Sequence, residues 1–334
     1  MTDPVFVAGG TGFIGRAIVE RLLQDGARVR ALARSDASAA ALAALGAEPV
    51  GGDLLDAEAL ASGMDGCALA YHAAGANAFC LRDPSPLFEV NVGGSRNVVR
   101  AAARAGIGRV VYTSSAATLG ERRGTVGSEE SPHRGSFLSN YERSKFEAEQ
   151  AVLTVAEESA VEVVSVNPAS VQGPGRAGGS ARLLLDYLNG RLKAVVDTQL
   201  SLVDIADCTE GHLLAAAKGK PGERYVLSGA TLSLREGLAL LDRVAGVERE
   251  ARTLPPFVTM AVSTAVEALA RIRRRDPRIC RELARTLLHG HAYDGSKATR
   301  ELGLRYTPVE ETLRRTLEWW REQGLVQSRQ LARE

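Results

Sequence analysis

Near its start the chain sets four glycines within seven residues, Gly9-Gly10-Thr11-Gly12-Phe13-Ile14-Gly15, directly behind the apolar run Val5-Phe6-Val7-Ala8. A short apolar run of this kind reads as a buried strand. Beyond the glycines, Ile14, Ile18, Leu22 and Leu23 recur at helical spacing until Gly26 stops the helix. Few folds accommodate a strand, a glycine turn and a helix in that order and spacing. Without a Cβ, Gly9 takes a tight turn, Gly12 admits close backbone approach to phosphates, and Gly15 lets the helix pack on the strand. Backbone N–H groups at the helix start, reinforced by the helix dipole, then form a seat for a dinucleotide pyrophosphate. Thr11, Phe13 and Ile14 lie in the same turn and are read as cofactor contacts with it.

Strand-like runs follow at 28–33, 47–50, 68–72, 109–114 and 161–167, with helical segments between them, notably 88–105 and 138–158. Such alternation predicts an α/β fold with a doubly wound parallel sheet. After Pro168 the pattern breaks into short strands near 200–203 and 224–227, and from about Leu254 the chain reads as mostly helical. The expected organisation is a nucleotide-binding domain over 1–170 carrying the catalytic residues. A smaller, mostly helical substrate-binding region over 171–325 partly interleaves with the sheet, and 326–334 is a flexible tail. A chain of 334 residues is long enough for this.

Charge nearly cancels, 41 basic against 40 acidic residues, which removes the electrostatic case for nucleic acid. No apolar run is long enough to span a bilayer, and with a first strand starting almost at once no signal peptide is expected. The four cysteines (Cys67, Cys80, Cys208, Cys280) show no metal-ligand spacing and read as reduced thiols of a cytoplasmic protein, and no metal is expected. His289 and His291 alternate with no carboxylate in sight and read as surface histidines. The stripe Val258, Val262, Val266, Leu269 and Ile272 reads as core packing, and the Arg273-Arg274-Arg275 run behind it as a solvated face. The segment 116–137, with Glu121, Glu129 and Glu130, reads as a solvated loop.

Two further features carry chemistry. The second strand ends at Arg34-Ser35, where an acidic residue would grip both ribose hydroxyls. Arg34 cannot accept those bonds, but its guanidinium can clamp a 2′-phosphate with Ser35 assisting, so NADP is expected ahead of NAD. In the middle of the chain, Tyr141-Glu142-Arg143-Ser144-Lys145 sets a phenol and an ammonium one helical turn apart. A nearby ammonium favours phenolate and lowers the tyrosine pKa. Upstream, Thr113-Ser114-Ser115 ends the fifth strand, where Ser115 reaches the carboxyl edge of the sheet and can hold a substrate oxygen, with Ser114 or Thr113 assisting.

Through these motifs the chain resembles an extended short-chain dehydrogenase/reductase of the NAD(P)-dependent epimerase/dehydratase family, from Val5 to about Trp320. The resemblance implies a Rossmann fold with Tyr141, Lys145, Ser115 and Asn91 as the catalytic set and Lys145 on the nicotinamide ribose. It places Asp53 and Leu54 at the adenine end, Ala73, Ala74 and Gly75 along the cofactor, and Pro168 and Val171 near the nicotinamide. Arg34, the segment 200–205 and the segment 222–227 look most like the dihydroflavonol-reductase-like branch. That branch implies reduction of a small-molecule ketone or aldehyde with NADPH, and a homodimer through the helices at 88–105 and 138–158. Two alternatives stand beside it. One is a nucleotide-sugar epimerase or dehydratase holding NAD, against which Leu200 occupies the place of the usual diphosphate-binding arginine, although Arg176, Arg182 or Arg191 could substitute. The other is a non-catalytic NADP-binding sensor or scaffold.

Overall fold

The computed structural model describes residues 3–326. In chain order the strands are β1 (Val5–Ala8), β2 (Val29–Ala33), β3 (Glu48–Gly51), β4 (Leu69–His72), β5 (Arg109–Thr113), β6 (Val126–Gly127), β7 (Glu162–Pro168), β8 (Ser170–Gln172), β9 (Ala194–Val196), β10 (Gln199–Asp204), β11 (Arg224–Leu227), β12 (Ala230–Ser233), β13 (Arg252–Leu254) and β14 (Ala292–Tyr293). The helices are α1 (Phe13–Gln24), α2 (Asp36–Leu45), α3 (Ala57–Met64), α4 (Ser85–Phe88), α5 (Ser95–Arg104), α6 (Asn140–Ser159), α7 (Ser180–Leu188), α8 (Ile205–Lys218), α9 (Leu234–Ala245), α10 (Pro256–Ile272), α11 (Arg281–His289) and α12 (Val309–Glu322).

Seven strands form the main sheet in the order β11-β7-β5-β4-β1-β2-β3, all pairs parallel. Its central strands are apolar on both faces: Val163, Val164 and Val166 of β7 are all at most 1% exposed, as a parallel sheet covered by helices on both sides requires. One core layer packs α1 and α8 against the sheet and the other packs α3, α5 and α6. The chain winds outward from β1 in both directions, so a crevice opens at the carboxyl ends of β1 and β4, where such folds bind ligands. A separate helical cluster joins α7, α9 and α12 around Trp320, and the described end of the expected tail, Val326, is buried in it. Residues 327–334 lie outside the described residues. Among the described residues no helix is long and apolar enough to cross a membrane.

Three expectations need correction. The helix expected over 88–105 is interrupted by a π-helical turn, Glu89–Gly94, between α4 and α5. The stripe on α10 is not core: Val262 and Leu269 are about half exposed and Ile272 is 80% exposed, while the helix buries Ser263 and Glu267 instead. Glu267 can face inward because Arg271 and Arg281 neutralise it and the Arg281 N–H donates to it at 3.0 Å. Nor is 116–137 wholly solvated, since Glu121 is 2% exposed.

Two histidines sit wholly inside the core. His72 at the end of β4 bonds the Ser95 hydroxyl at 2.9 Å, and His212 on α8 bonds the Thr113 hydroxyl at 2.9 Å. Burial, joined by the Lys145 charge, pushes His72 down to about 3, and burial pushes His212 down to about 4. Both therefore fold neutral, whereas the unfolded chain binds their protons below about pH 6.5. Their contribution is full above that pH and is lost as pH falls toward 4, by on the order of 1–2 kcal/mol each at pH 5. The urea midpoint should fall between pH 7 and pH 5. His212→Gln, which cannot take up that proton, should flatten the fall; an unaltered pH slope would contradict the buried neutral imidazole.

Candidate active site

The glycine turn is sterically committed. Gly9 has φ +93, and a Cβ there would stand 2.5 Å from the Ala74 nitrogen; a Cβ on Gly15 would stand 2.1 Å from the Gly9 carbonyl oxygen. Ala73 and Ala74 are thus pressed against the turn by strand pairing, with Ala73 N–H donating to the Ala8 carbonyl at 2.9 Å. Gly12 begins α1 with no side-chain cap and no acidic residue in the first turn, which leaves that helix end open to an anion. This cradle fits a dinucleotide pyrophosphate. Thr11 is exposed, and Phe13 and Ile14 are half-buried. The Phe13 ring lies 5.5 Å under the Arg176 guanidinium, tying the turn to the loop after β8, and Arg176 also donates to the carbonyl of the buried Val171 within β8.

At the far side of the crevice, β2 delivers Arg34, exposed and with no ion-pair partner among the described residues. Ser35 is otherwise engaged, because its hydroxyl caps α2 by accepting from the Ser38 N–H. Asp53 closes a turn by accepting from Leu55 N–H at 3.0 Å, and the buried Leu54 presents its carbonyl to the Asn97 amide at 3.1 Å. Both stand at the end of β3, on the same side as Arg34.

The serine cap Ser139 starts α6, whose first turns carry Tyr141 and Lys145. The Ser115 hydroxyl stands near enough to the Tyr141 phenol to favour its ionised form. Burial raises the phenol above its ordinary value, opposed by the Ser115 hydroxyl and the Arg176 charge. The Lys145 ammonium, one helical turn from Tyr141, donates to the Thr113 carbonyl at 2.8 Å and the Tyr112 hydroxyl at 3.2 Å, over the Tyr112 ring. Burial brings Lys145 down to about 8, partly offset by Glu149. Thr113 cannot assist Ser115, because its hydroxyl turns to His212; the Ser114 hydroxyl is buried without a partner.

Asn91 sits in the π-turn and is 1% exposed. Its carbonyl oxygen accepts from Ala76 N–H at 2.7 Å, and its amide donates to the Ala76 carbonyl at 3.0 Å and the Ser144 hydroxyl at 2.9 Å. It thus locks the segment following Gly75 to α6. A Cβ on Gly75 would stand 3.3 Å from Asn91 Oδ1 and 3.8 Å from Lys145 Nζ. Pro168 ends β7. The preceding Asn167 donates to the Ser115 carbonyl at 3.3 Å and to Glu149 at 2.6 Å.

Two features at the crevice mouth went unread in the sequence. Cys80 and Cys280, expected as reduced thiols, form a disulfide with 5.5 Å between their Cα atoms. It joins the loop after β4 to the start of α11 across a sequence separation of 200, a distance at which no spacing pattern signals pairing. Phe79 in that loop places its ring 5.5 Å from that of Tyr141, and Glu282 accepts from Cys80 N–H and from the Asn140 N–H and amide. His289 and His291 do have a carboxylate: Glu121 Oε1 lies 2.6 Å from His291 Nδ1 and 3.7 Å from His289 Nε2. The Tyr293 hydroxyl completes this network at 3.0 Å from His291.

The match that decides the family covers residues 5–228, which fit the model of the NAD dependent epimerase/dehydratase family. The chain belongs to that family. Within it, the chain is 33% identical over 336 residues to a Synechocystis sp. protein provisionally named dihydroflavonol 4-reductase, covering 98% of this chain and 97% of that one. It is 35% identical over 309 residues to a Stigmatella aurantiaca 4-hydroxy-2-methyl-3-oxo-4-farnesyl-3,4-dihydroquinoline-1-oxide ketoreductase, covering 89% and 90%. The crystal structure of gox2253 superposes with a TM-score of 0.84 at 32% identity, covering 98% of this chain and all of that one. The epimerase/dehydratase-family protein is therefore of the extended short-chain type, an NAD(P)-dependent oxidoreductase or epimerase.

The disulfide is the feature most readily checked by chemistry. Denatured protein that has seen no reductant should titrate two thiols, Cys67 and Cys208, and four after reduction. Four before reduction would contradict the clasp.

Proposed function

We propose that the protein is an NADP-dependent oxidoreductase that reduces a ketone or aldehyde to the alcohol, or runs the reverse oxidation. The observation that carries this reading is the Ser115–Tyr141 hydroxyl pair at the carboxyl edge of β5, with the Lys145 ammonium beneath it and the glycine turn alongside. When bound, the nicotinamide supplies hydride to the carbonyl carbon. The chain does the rest. Tyr141 gives its phenolic proton to the substrate oxygen, and Ser115 donates a hydrogen bond that holds that oxygen in place. The Arg176 charge and the Ser115 hydroxyl favour the phenolate left behind. Lys145 holds the nicotinamide ribose, and Asn91 acts as a positioning residue between the Ala76 backbone and α6.

Arg34 supports NADP over NAD, because an unpaired guanidinium at the end of β2 recognises a 2′-phosphate where a carboxylate would repel it. A sugar-diphosphate substrate is disfavoured. Leu200 packs against the apolar helical cluster, Arg182 and Arg191 face Asp186 at 2.9 and 3.8 Å, and Arg176 is held by the Gly178 carbonyl and Phe13. The Stigmatella relative's name describes a ketone bearing a long apolar chain, which supports an apolar carbonyl as the substrate class here. A homodimer through the segments 88–105 and 138–158 goes with this reading.

Two outcomes test the reading. Tyr141→Phe should lower turnover on a panel of alkyl and aryl ketones by about 10²–10⁴-fold while NADPH affinity stays within a few fold; unchanged turnover would refute the acid role. Arg34→Asp should reverse the preference between NADPH and NADH measured by fluorescence titration. Retention of the NADPH preference would remove Arg34 from the 2′-phosphate site.

A further inference from the structure

The described residues include seven large apolar side chains that are exposed, and five of them, Phe257, Val262, Leu269, Ile272 and Ile279, fall on α10 and the turn behind it. Phe257 is 75% exposed and Ile272 80%. A helix of a soluble domain ordinarily turns such residues inward, but α10 is seated the other way, with Ser263 and Glu267 inside. The seating is satisfied, because Glu267 has Arg271 and Arg281 as partners, so the apolar face is left out by construction.

Charge is segregated along the same segment. Residues 256–266 carry none, and 267–285 then carry seven arginines against three acidic residues. All three acids are engaged within the protein: Glu267 as above, Asp276 by the Arg82 N–H at 2.9 Å, and Glu282 by Cys80 and Asn140. Arg273, Arg275, Arg278 and Arg285 are exposed and have no ion-pair partner among the described residues. The whole chain is close to neutral, so this cationic surplus is a local property of the face that bears the apolar side chains.

We propose that α10 and the arginine-rich turn after it form a membrane-docking face that seats the protein on an anionic lipid surface. The helix lies in the interface, its apolar residues enter the acyl boundary, and the arginines meet lipid phosphates. Charge complementarity selects this occupant over a second copy of the chain, since a two-fold contact would set arginines against arginines. The face borders the crevice mouth: a cavity of about 430 Å³ is lined by Met260, Arg271 and Arg281 on one side and by Cys80, Arg82 and Asn140 on the other. Asn140 directly precedes Tyr141. A docked molecule would therefore present its crevice to lipid-dissolved compounds, a consequence that rests on the carbonyl-reductase reading, whereas docking itself does not.

Cosedimentation with sucrose-loaded vesicles reads docking without any turnover. Wild-type protein should bind vesicles of phosphatidylcholine containing one-third phosphatidylglycerol at least tenfold more tightly than phosphatidylcholine alone. The double variant Phe257→Asp, Ile272→Asp should lose tenfold or more of that binding, and Arg273→Glu, Arg275→Glu should abolish the preference for anionic lipid. Unchanged thermal melting and NADPH titration in both variants would show that they remain folded. The proposal is overturned if wild-type protein sediments with neither vesicle, if the variants bind as wild type does, or if the protein self-associates in solution through this face and the variants abolish the association. A protein that docks but reduces no ketone would leave the surface in place and refute only the chemistry.

Discussion

An ammonium held out of water beneath the carboxyl edge of the sheet organises this molecule. Lys145 is 5% exposed and meets no carboxylate directly among the described residues; the Thr113 carbonyl, the Tyr112 hydroxyl and the Tyr112 ring receive it. Such burial is costly unless every neighbouring group is placed to compensate. Glu149, one turn further along α6, supplies opposing charge, and Asn167, Thr118 and Arg224 hold that carboxylate in turn. Strands β5 and β7, helix α6 and the loop after β5 are therefore bound to one electrostatic arrangement.

That arrangement explains the rigidity around the hydroxyl pair. Ser115 has its carbonyl held by Asn167, and Tyr141 rides on a helix whose next turn is tied through Ser144 to Asn91. The π-turn matters here because it carries Asn91 between the Ala76 backbone and α6. The two asparagines reach across elements with short, stiff side chains, fixing geometry that long charged side chains would leave loose. A lysine pushed down to about 8 remains mostly protonated at neutral pH, so the proposed ribose contact keeps its charge.

Much of the sheet was legible because β1, β2, β4, β5 and β7 are buried apolar runs bounded by turns, and a parallel sheet leaves that mark in any chain. The glycine turn was legible for a steric reason: only glycine fits against Ala74 and the Gly9 carbonyl at these separations. The π-turn, by contrast, has no periodicity of its own within an apolar helical run. On α10 the pattern misled, since apolar residues at helical spacing report amphipathicity but not which face turns inward; Glu267 and its arginines decide that. The Glu121–His291 contact and the Cys80–Cys280 bond join residues 170 and 200 positions apart, where only the folded chain brings partners together. Thr113 and Ser115, two positions apart, would share a face of a continuous strand, yet β5 ends at Thr113, whose hydroxyl goes to His212, and Ser115 beyond that end caps the next turn beside Tyr141.

The central claim is that this hydroxyl pair serves direct hydride delivery to a carbonyl carbon. Incubation with NADPH deuterated at the transferable C4 position, against apolar ketones and sugar nucleotides in parallel, tests it by mass spectrometry of the products. The account predicts one deuterium on the carbinol carbon of a reduced ketone, with stoichiometric oxidation of the cofactor. Unlabelled epimerised sugar nucleotide with no net cofactor oxidation, or no deuterium in any product, would contradict it.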